Sequence, residues 1–285
     1  MEEAYDIRQG DCREVMREMP ENSVDCCVTS PPYWGLRDYG CEGQMGLEQT
    51  PEEYVSKMVE VFREVRRVLR EDGTLWMNLG DSYASKQLVG IPWRVAFALQ
   101  ADGWYLRQDI IWHKPNPMPE SVRDRCTKAH EYVFLLAKSE RYYFDQASVY
   151  EVATTDLNHR QTDRGSQGYA MATKAKNGSP QRGNINGYGY IQKGKRNRRS
   201  VWTVTTKPFK GAHFAVMPPD LVEPCILAGC PEGGVVLDPF AGSGTVAAVA
   251  VRLRRKAIGI DLNPEYIEIA RGRIAQSAQQ STTLF

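Results

Sequence analysis

The sequence predicts an α/β protein whose strands run largely parallel. Three observations carry that expectation. Short apolar runs closed by Gly, Pro or Asp alternate with longer segments of helical period. Residues 234–277 hold a complete strand–loop–helix–strand–helix unit, and crossovers of this kind are right-handed and parallel. Hydrophobic residues at 42% and charged residues at 25% of 285 give an ordinary globular composition, enough for one large domain or two smaller ones.

The first strand is expected at 5–9, ending in Gly10-Asp11-Cys12. Asp11 then sits at the carboxyl end of a strand, where open α/β sheets gather ligand groups. It is equally placed to cap a helix over 12–19. A second strand, 24–29, runs into Thr29-Ser30-Pro31-Pro32-Tyr33-Trp34. Neither proline has an N–H for a sheet ladder, so the strand stops at Ser30. The stiff turn offers a hydroxyl, carbonyls with no partner inside the turn, and two aromatic rings. Those groups suit a flat heterocycle bearing an exocyclic amine, a nucleobase. A Pro-Pro loop with an aromatic plug accounts for the same residues.

Residues 35–49 hold four glycines and no period, so a loop is expected beside the turn. Thr50 as cap, Pro51 in the first turn and Glu53 completing a capping box start a helix. Val55, Met58, Phe62, Val65 and Leu69 are its core stripe, and Gly73 is its expected stop. A strand over 74–79 leads to the turn Gly80-Asp81-Ser82-Tyr83, followed by a helix over 91–102 and a strand over 104–113. Three prolines within 115–119 enforce a loop. Strands 131–137 and 141–145 are expected to pair as a hairpin across 138–140.

Composition then shifts. Residues 153–200 carry ten Lys or Arg against two Asp, with seven Gly and few aliphatic side chains. Such a stretch cannot build its own core. A net charge of only +1 on the whole chain means that the remaining residues carry the compensating negative balance. The insert therefore suits a polyanion, whose neutralised phosphates release counterions; a solvated segment is the competing reading. Residues 218–230 look helical with Pro224 inside, which kinks the helix or delays its start.

The second informative block follows the strand at 234–237. Asp238-Pro239-Phe240-Ala241-Gly242-Ser243-Gly244-Thr245 is a glycine-rich turn before a helix over 246–254. A strand over 256–260 ends at Asp261, a helix spans 264–277, and 278–285 read as a polar tail. The turn lets a ligand approach the backbone, and Asp261 is placed to accept from ribose hydroxyls. Asp238 opposes a pyrophosphate and favours a cofactor with an ammonium group. S-adenosylmethionine has both the ribose and the ammonium.

Seven cysteines show no C-x-x-C pair, and four histidines form no ligand-spaced cluster, so neither a disulfide framework nor a metal site is expected. No run approaches the roughly 18 apolar residues of a membrane helix. The acidic N-terminus lacks an apolar signal core, and a cytoplasmic protein is expected.

Together, and in this order, TSPPYW and DPFAGSGT resemble the motifs of the N4-cytosine/N6-adenine DNA methyltransferases in their permuted (β-class) arrangement. The resemblance extends to Trp112-His113-Lys114 with Asn116, the segment 131–145, Arg199-Ser200-Val201-Trp202, and Gly211-Ala212-His213-Phe214 with Pro218. It implies an α/β fold with a doubly wound, mostly parallel seven-stranded sheet, one reversed edge strand and a basic target-recognition insert. Residues 1–150 would form the catalytic half, 151–202 the insert, 203–277 the cofactor half and 278–285 a tail. The implied activity is methyl transfer from S-adenosylmethionine to the exocyclic amine of a base flipped out of double-stranded DNA. Ser30, Pro31, Pro32 and Tyr33 would be catalytic. Asp11, Thr29, His213, Phe214, Asp238, Phe240, Ala241, Gly242, Ser243, Gly244, Thr245 and Asp261 would hold the cofactor. Trp34, Lys193, Lys195, Arg196, Arg198 and Arg199 would touch DNA.

In that family SPPY goes with N4-cytosine, and DPPY or NPPY with N6-adenine, so Ser30 favours cytosine. Such enzymes are bacterial, archaeal or phage-encoded, monomers or homodimers, and partner a cognate restriction endonuclease. No covalent nucleophile is implied, so Pro224-Cys225, which resembles the Pro-Cys of carbon-5 methyltransferases, reads as a buried helical cysteine. Competing readings are an N6-adenine enzyme, an RNA methyltransferase with NPPY after the cofactor loop, an NAD-linked oxidoreductase, and a silent DNA-binding module.

Overall fold

Eight strands form the main sheet among the described residues: β1 (Tyr5–Gln9), β2 (Val24–Thr29), β3 (Leu69–Leu79), β4 (Tyr105–His113), β5 (His130–Ala137), β6 (Val201–Thr203), β7 (Val235–Asp238) and β8 (Lys256–Asp261). The computed structural model describes residues 4–153, 194–206 and 216–282, the last five without their side chains. The expected contacts His213, Phe214 and Lys193 lie outside the described residues. The strand order is β1-β8-β7-β2-β3-β5-β4-β6. Every neighbouring pair is parallel except those that β5 makes with β3 and β4.

The α/β class holds, with two corrections to the expected sheet. There are eight strands, because Val201–Thr203 adds to the outer side of β4. Trp202 drives that addition: it is buried and stacks on Trp76 at 6.4 Å. The reversed strand is also internal. Ala137 of β5 pairs with Thr74 on one side and Tyr105 on the other. Both edges of β5 are therefore occupied, and the expected hairpin with 141–145 does not form. That segment instead gives its Tyr143 N–H to the Asp72 carbonyl (2.8 Å) and its Asp145 N–H to the Ala228 carbonyl (2.9 Å).

Among the described residues, six helices flank the sheet: α1 (Cys12–Arg17), α2 (Pro51–Val68), α3 (Ile91–Ala101), α4 (Pro219–Gly229), α5 (Thr245–Arg252) and α6 (Pro264–Thr282). Helix α2 starts as its residues dictate, with the Thr50 hydroxyl accepting from the Glu53 N–H at 3.2 Å. It buries Tyr54, Met58, Val61, Phe62, Val65 and Val68 against Leu75, Met77 and Leu79 of β3. It ends earlier than expected, because Leu69 turns extended and pairs with Val24. Gly73 thus lies within β3 and closes nothing. Helix α4 begins at Pro219, before Pro224, and the Cys225 thiol bonds the Leu221 carbonyl at 3.3 Å. Helix α6 continues through Thr282, so residues 278–282 are helix and not tail.

Helix α5 meets α6 at a glycine. Gly244 has φ +74°, and a Cβ there would sit 2.7 Å from the Cβ of Ala270. The chain divides into two compact units, one of Met1–Ser148 with Arg199–Phe285 and one of Val149–Arg198. The second contains the pairing of Glu151 and Val152 with Arg196 and Lys195. Among the described residues, no helix is long and apolar enough to cross a membrane.

Gly244→Ala forces both an unfavourable φ and a steric contact, and is expected to destabilise the fold by about 1–3 kcal/mol. Guanidinium unfolding measures this, and an unchanged midpoint contradicts the packing.

Candidate functional site

Four parallel strands, β1, β2, β7 and β8, release their carboxyl ends into one cleft, where ligands gather on open α/β sheets. The cleft holds about 1080 Å³ of empty space, its open mouth included. β1 contributes Gly10, Asp11 and Cys12; β2 contributes Ser30 and Pro32; β7 contributes Asp238 and the loop after it; β8 contributes Asp261, Leu262, Asn263 and, from α6, Tyr266. Tyr39, Gln44 and Met45 of the loop over residues 35–49 form a further wall. No Lys, Arg or His lines it among the described residues.

Three carboxylates give the cleft its character. The Asp11 carboxylate caps α1 by accepting from the Arg13 N–H at 2.8 Å, and it pairs with the Arg13 guanidinium at 2.7 Å. That side-chain bond holds its pKa below the usual value. Asp11 therefore fills the capping role of the two the sequence left open, while still lining the cleft. Asp238 is buried, and desolvation pushes its pKa up to about 7. Its Oδ1 accepts from the Thr29 hydroxyl at 2.7 Å and from the Phe240 N–H at 3.1 Å. Burial also raises the pKa of Asp261, which accepts from the Gly242 N–H at 2.8 Å and the Asn263 N–H at 2.9 Å. The glycine-rich turn at 238–245 thus directs two of its amides toward Asp238 and Asp261. It does not present them to a phosphate. A cationic group, hydroxyls and a ring that can rest on Phe240, Tyr39 or Tyr266 match this lining.

Several expected contacts have other work in the structure. Thr29 is fully buried and reaches the cleft only through Asp238. The Ser243 and Thr245 hydroxyls accept from Arg273 Nη1 at 3.0 and 2.7 Å, which stitches the loop to α6. Gly244 serves the α5–α6 contact. Ala241, Gly242, Ser243 and Thr245 line the cleft.

The Pro-Pro turn stands beside the carboxylates. Ser30 opens on the same cleft as Asp238. The Pro32 carbonyl, expected to be free, accepts from the Tyr54 hydroxyl at 2.8 Å, and Pro31 is buried and does not line the cleft. Tyr33 donates its hydroxyl to Glu131 Oε2 and accepts from Asn78 Nδ2, both at 2.7 Å. Burial raises its pKa well above the usual value. Trp34, expected at DNA, packs against the core and donates its indole N–H to the Glu48 carbonyl at 3.0 Å, closing the 35–49 loop. Of the basic residues, Lys195 and Arg199 are exposed, and Arg196 pairs with Glu151 at 2.8 Å. Arg198 is half-buried.

Sequence reading missed Asn78, Lys114 and Glu131 as a group. Asn78 was visible as the one polar residue in Leu75-Trp76-Met77-Asn78-Leu79, and a buried polar side chain in a strand calls for a partner.

Comparison with known proteins agrees with this geometry. The N6/N4 DNA methylase family matches residues 24–272. The type II methyltransferase M.Cfr9I of Citrobacter freundii is 45% identical over 93% of this chain and 86% of its own. The crystal structure of TTHA0409 of Thermus thermophilus, a putative DNA modification methylase complexed with S-adenosyl-L-methionine, superposes with TM-score 0.63. It is 26% identical and covers 95% of each chain. The PvuII DNA methyltransferase (cytosine-N4-specific) superposes with TM-score 0.69 over 98% of this chain and 95% of its own, at 21% identity, a likeness of fold.

Thr29→Val removes the hydroxyl whose hydrogen bond opposes the rise of the Asp238 pKa. The Asp238 midpoint is expected to rise above about 7. Carboxyl-carbon NMR titration reads it directly, and an unmoved or lowered midpoint contradicts the role of Thr29.

Proposed function

The chain belongs to the N6/N4 DNA methylase family, and on that premise we propose that it methylates N4 of a flipped-out cytosine in double-stranded DNA. It is a DNA methyltransferase that uses S-adenosylmethionine. The observation that carries the proposal is that Ser30 and the buried Asp238 open on one acidic cleft. A cleft lined by Asp11, Asp238 and Asp261, with no basic side chain among the described residues, fits a cationic cofactor. The same lining disfavours the pyrophosphate of a dinucleotide.

Bound there, S-adenosylmethionine supplies a transferable methyl group on a cationic sulfur. Asp238 takes the ammonium, Asp261 the ribose hydroxyls, and Phe240 packs against the adenine. The Ser30 hydroxyl and the Pro31 carbonyl accept from the exocyclic amine of the base. Holding both hydrogens turns the nitrogen lone pair toward the methyl. Tyr33 gives the base a flat face. The amine hydrogen that methylation displaces would be lost as a proton to solvent, past the Ser30 hydroxyl that holds it. Catalysis on this reading is positioning and polarisation, and alignment of two reactants supplies up to about 7–11 kcal/mol of a barrier. A serine at the first position of the turn goes with N4-cytosine in the family this sequence resembles, and that supports cytosine over adenine.

Residues 151–202, with Lys193, Lys195, Arg196, Arg198 and Arg199, are assigned to DNA contact and target recognition. Type II relatives such as M.Cfr9I support a restriction-modification role, and on that reading a cognate endonuclease is assigned as its partner.

The test is to incubate DNA with the protein and S-adenosylmethionine, digest it to nucleosides and weigh them. N4-methylcytosine is expected. N6-methyladenine overturns the base assignment, and unmodified DNA overturns the enzyme. Asp261→Ala is expected to weaken S-adenosylmethionine binding roughly tenfold or more, the loss of a hydrogen bond to a charged group. Equal calorimetric affinity contradicts its role.

A further inference from the structure

The Pro-Pro turn hangs on a polar cluster in which the Tyr33 hydroxyl also accepts from the Ser30 hydroxyl at 3.3 Å, and whose members Asn78, Lys114 and Glu131 the methyl-transfer reading does not use. Glu131 Oε2 accepts from the Tyr33 hydroxyl at 2.7 Å and from Asn78 Nδ2 at 3.0 Å. Its other oxygen, Oε1, is ion-paired with Lys114. Lys114 is itself held over the Trp112 ring, 4.2 Å from the centroid. Trp112 stands opposite Glu131 in the β4–β5 register. The cluster therefore draws on β3, β4 and β5 to reach a residue that follows β2.

We propose that Glu131, set by Lys114 and Asn78, is a positioning residue that fixes the Tyr33 ring as a platform for the target base. This rests on the methyl-transfer reading above. A phenylalanine offers the same flat face for stacking, so the hydroxyl must serve another purpose. Here it ties the ring at one end. At the flank, the ring lies against Gly80, where a Cβ would sit 2.5 Å from Tyr33 Cε2. Held at both places, the ring cannot rotate away when a base approaches.

Stability does not explain the cluster. A largely buried ion pair is about neutral against an apolar replacement of the same shape. The Asn78 amide oxygen is buried without a hydrogen-bond partner, which is a cost and not a gain. Nor is Glu131 free to act as a base, because its carboxylate already receives Tyr33, Asn78 and Lys114.

The test is a double-mutant cycle on genomic DNA, reading kcat and the KM for S-adenosylmethionine. Tyr33→Phe and Glu131→Ala are each expected to lower kcat roughly tenfold, the size of one hydrogen bond to a charged group, with that KM little changed. In the Tyr33→Phe background, Glu131→Ala is expected to cost no more. Glu131→Gln keeps an acceptor and is expected to restore most of kcat. Losses that multiply, or a glutamine variant as impaired as the alanine one, overturn the proposal. If Glu131→Ala does not fold, Lys114→Met takes its place in the cycle with the same expectation. An inactive wild-type protein overturns methyl transfer itself. Multiplying losses in an active enzyme overturn only the role of Glu131.

Discussion

One buried hydrogen bond ties the two halves of the cleft together. The Thr29 hydroxyl, at the end of β2, donates to Asp238, at the end of β7, although 209 residues separate them. The strands are neighbours, registered through Cys26 with Val236 and Cys27 with Leu237. A hydrogen bond to a carboxylate contributes about 1.5–3 kcal/mol, and leaving its donor unmet when buried costs as much. Its larger consequence is geometric. Ser30 is the next residue, so the start of the Pro-Pro turn is fixed relative to the carboxylate that faces the cleft.

The same economy runs through the rest of the site. Asp238 also holds the Phe240 N–H, and Asp261 holds the Gly242 N–H, so the two acids shape the glycine-rich loop as well as charging it. This inverts the usual use of such a loop, in which free amides attract an anion. Desolvation then leaves Asp238 poised near neutrality, with the Thr29 hydroxyl opposing that rise. The aromatic side of the turn joins this arrangement through Ser30, whose hydroxyl bonds the Tyr33 hydroxyl at 3.3 Å. Tyr33 is held through Asn78 and Glu131, and Trp34 closes its loop onto Glu48.

What the sequence makes legible is local. Thr50, Pro51 and Glu53 mark a helix start because capping is decided within one turn. Asp238 and Asp261 are readable as site residues because each ends an apolar strand run. Pairings across long separations are not readable in this way. The hairpin expected at 131–145 has the right pattern, but both edges of β5 are taken by β3 and β4, a fact of topology. Ser243 and Thr245 line the cleft, but that their hydroxyls also accept from Arg273 of the last helix is a contact no local pattern shows. Trp34 looks exposed beside two prolines, and only the fold shows it turned inward. Lys114 and Glu131 are 17 residues apart and meet because their strands are adjacent.

The most direct measurement is a crystal structure with S-adenosylmethionine soaked in. The expected result is the ammonium on Asp238 and the ribose hydroxyls on Asp261, in the cleft that Ser30 lines, with the Thr29–Asp238 bond intact. A cofactor bound away from these carboxylates, or a Thr29 released from Asp238 with Ser30 unmoved, contradicts the claim that this bond sets the base turn against the cofactor.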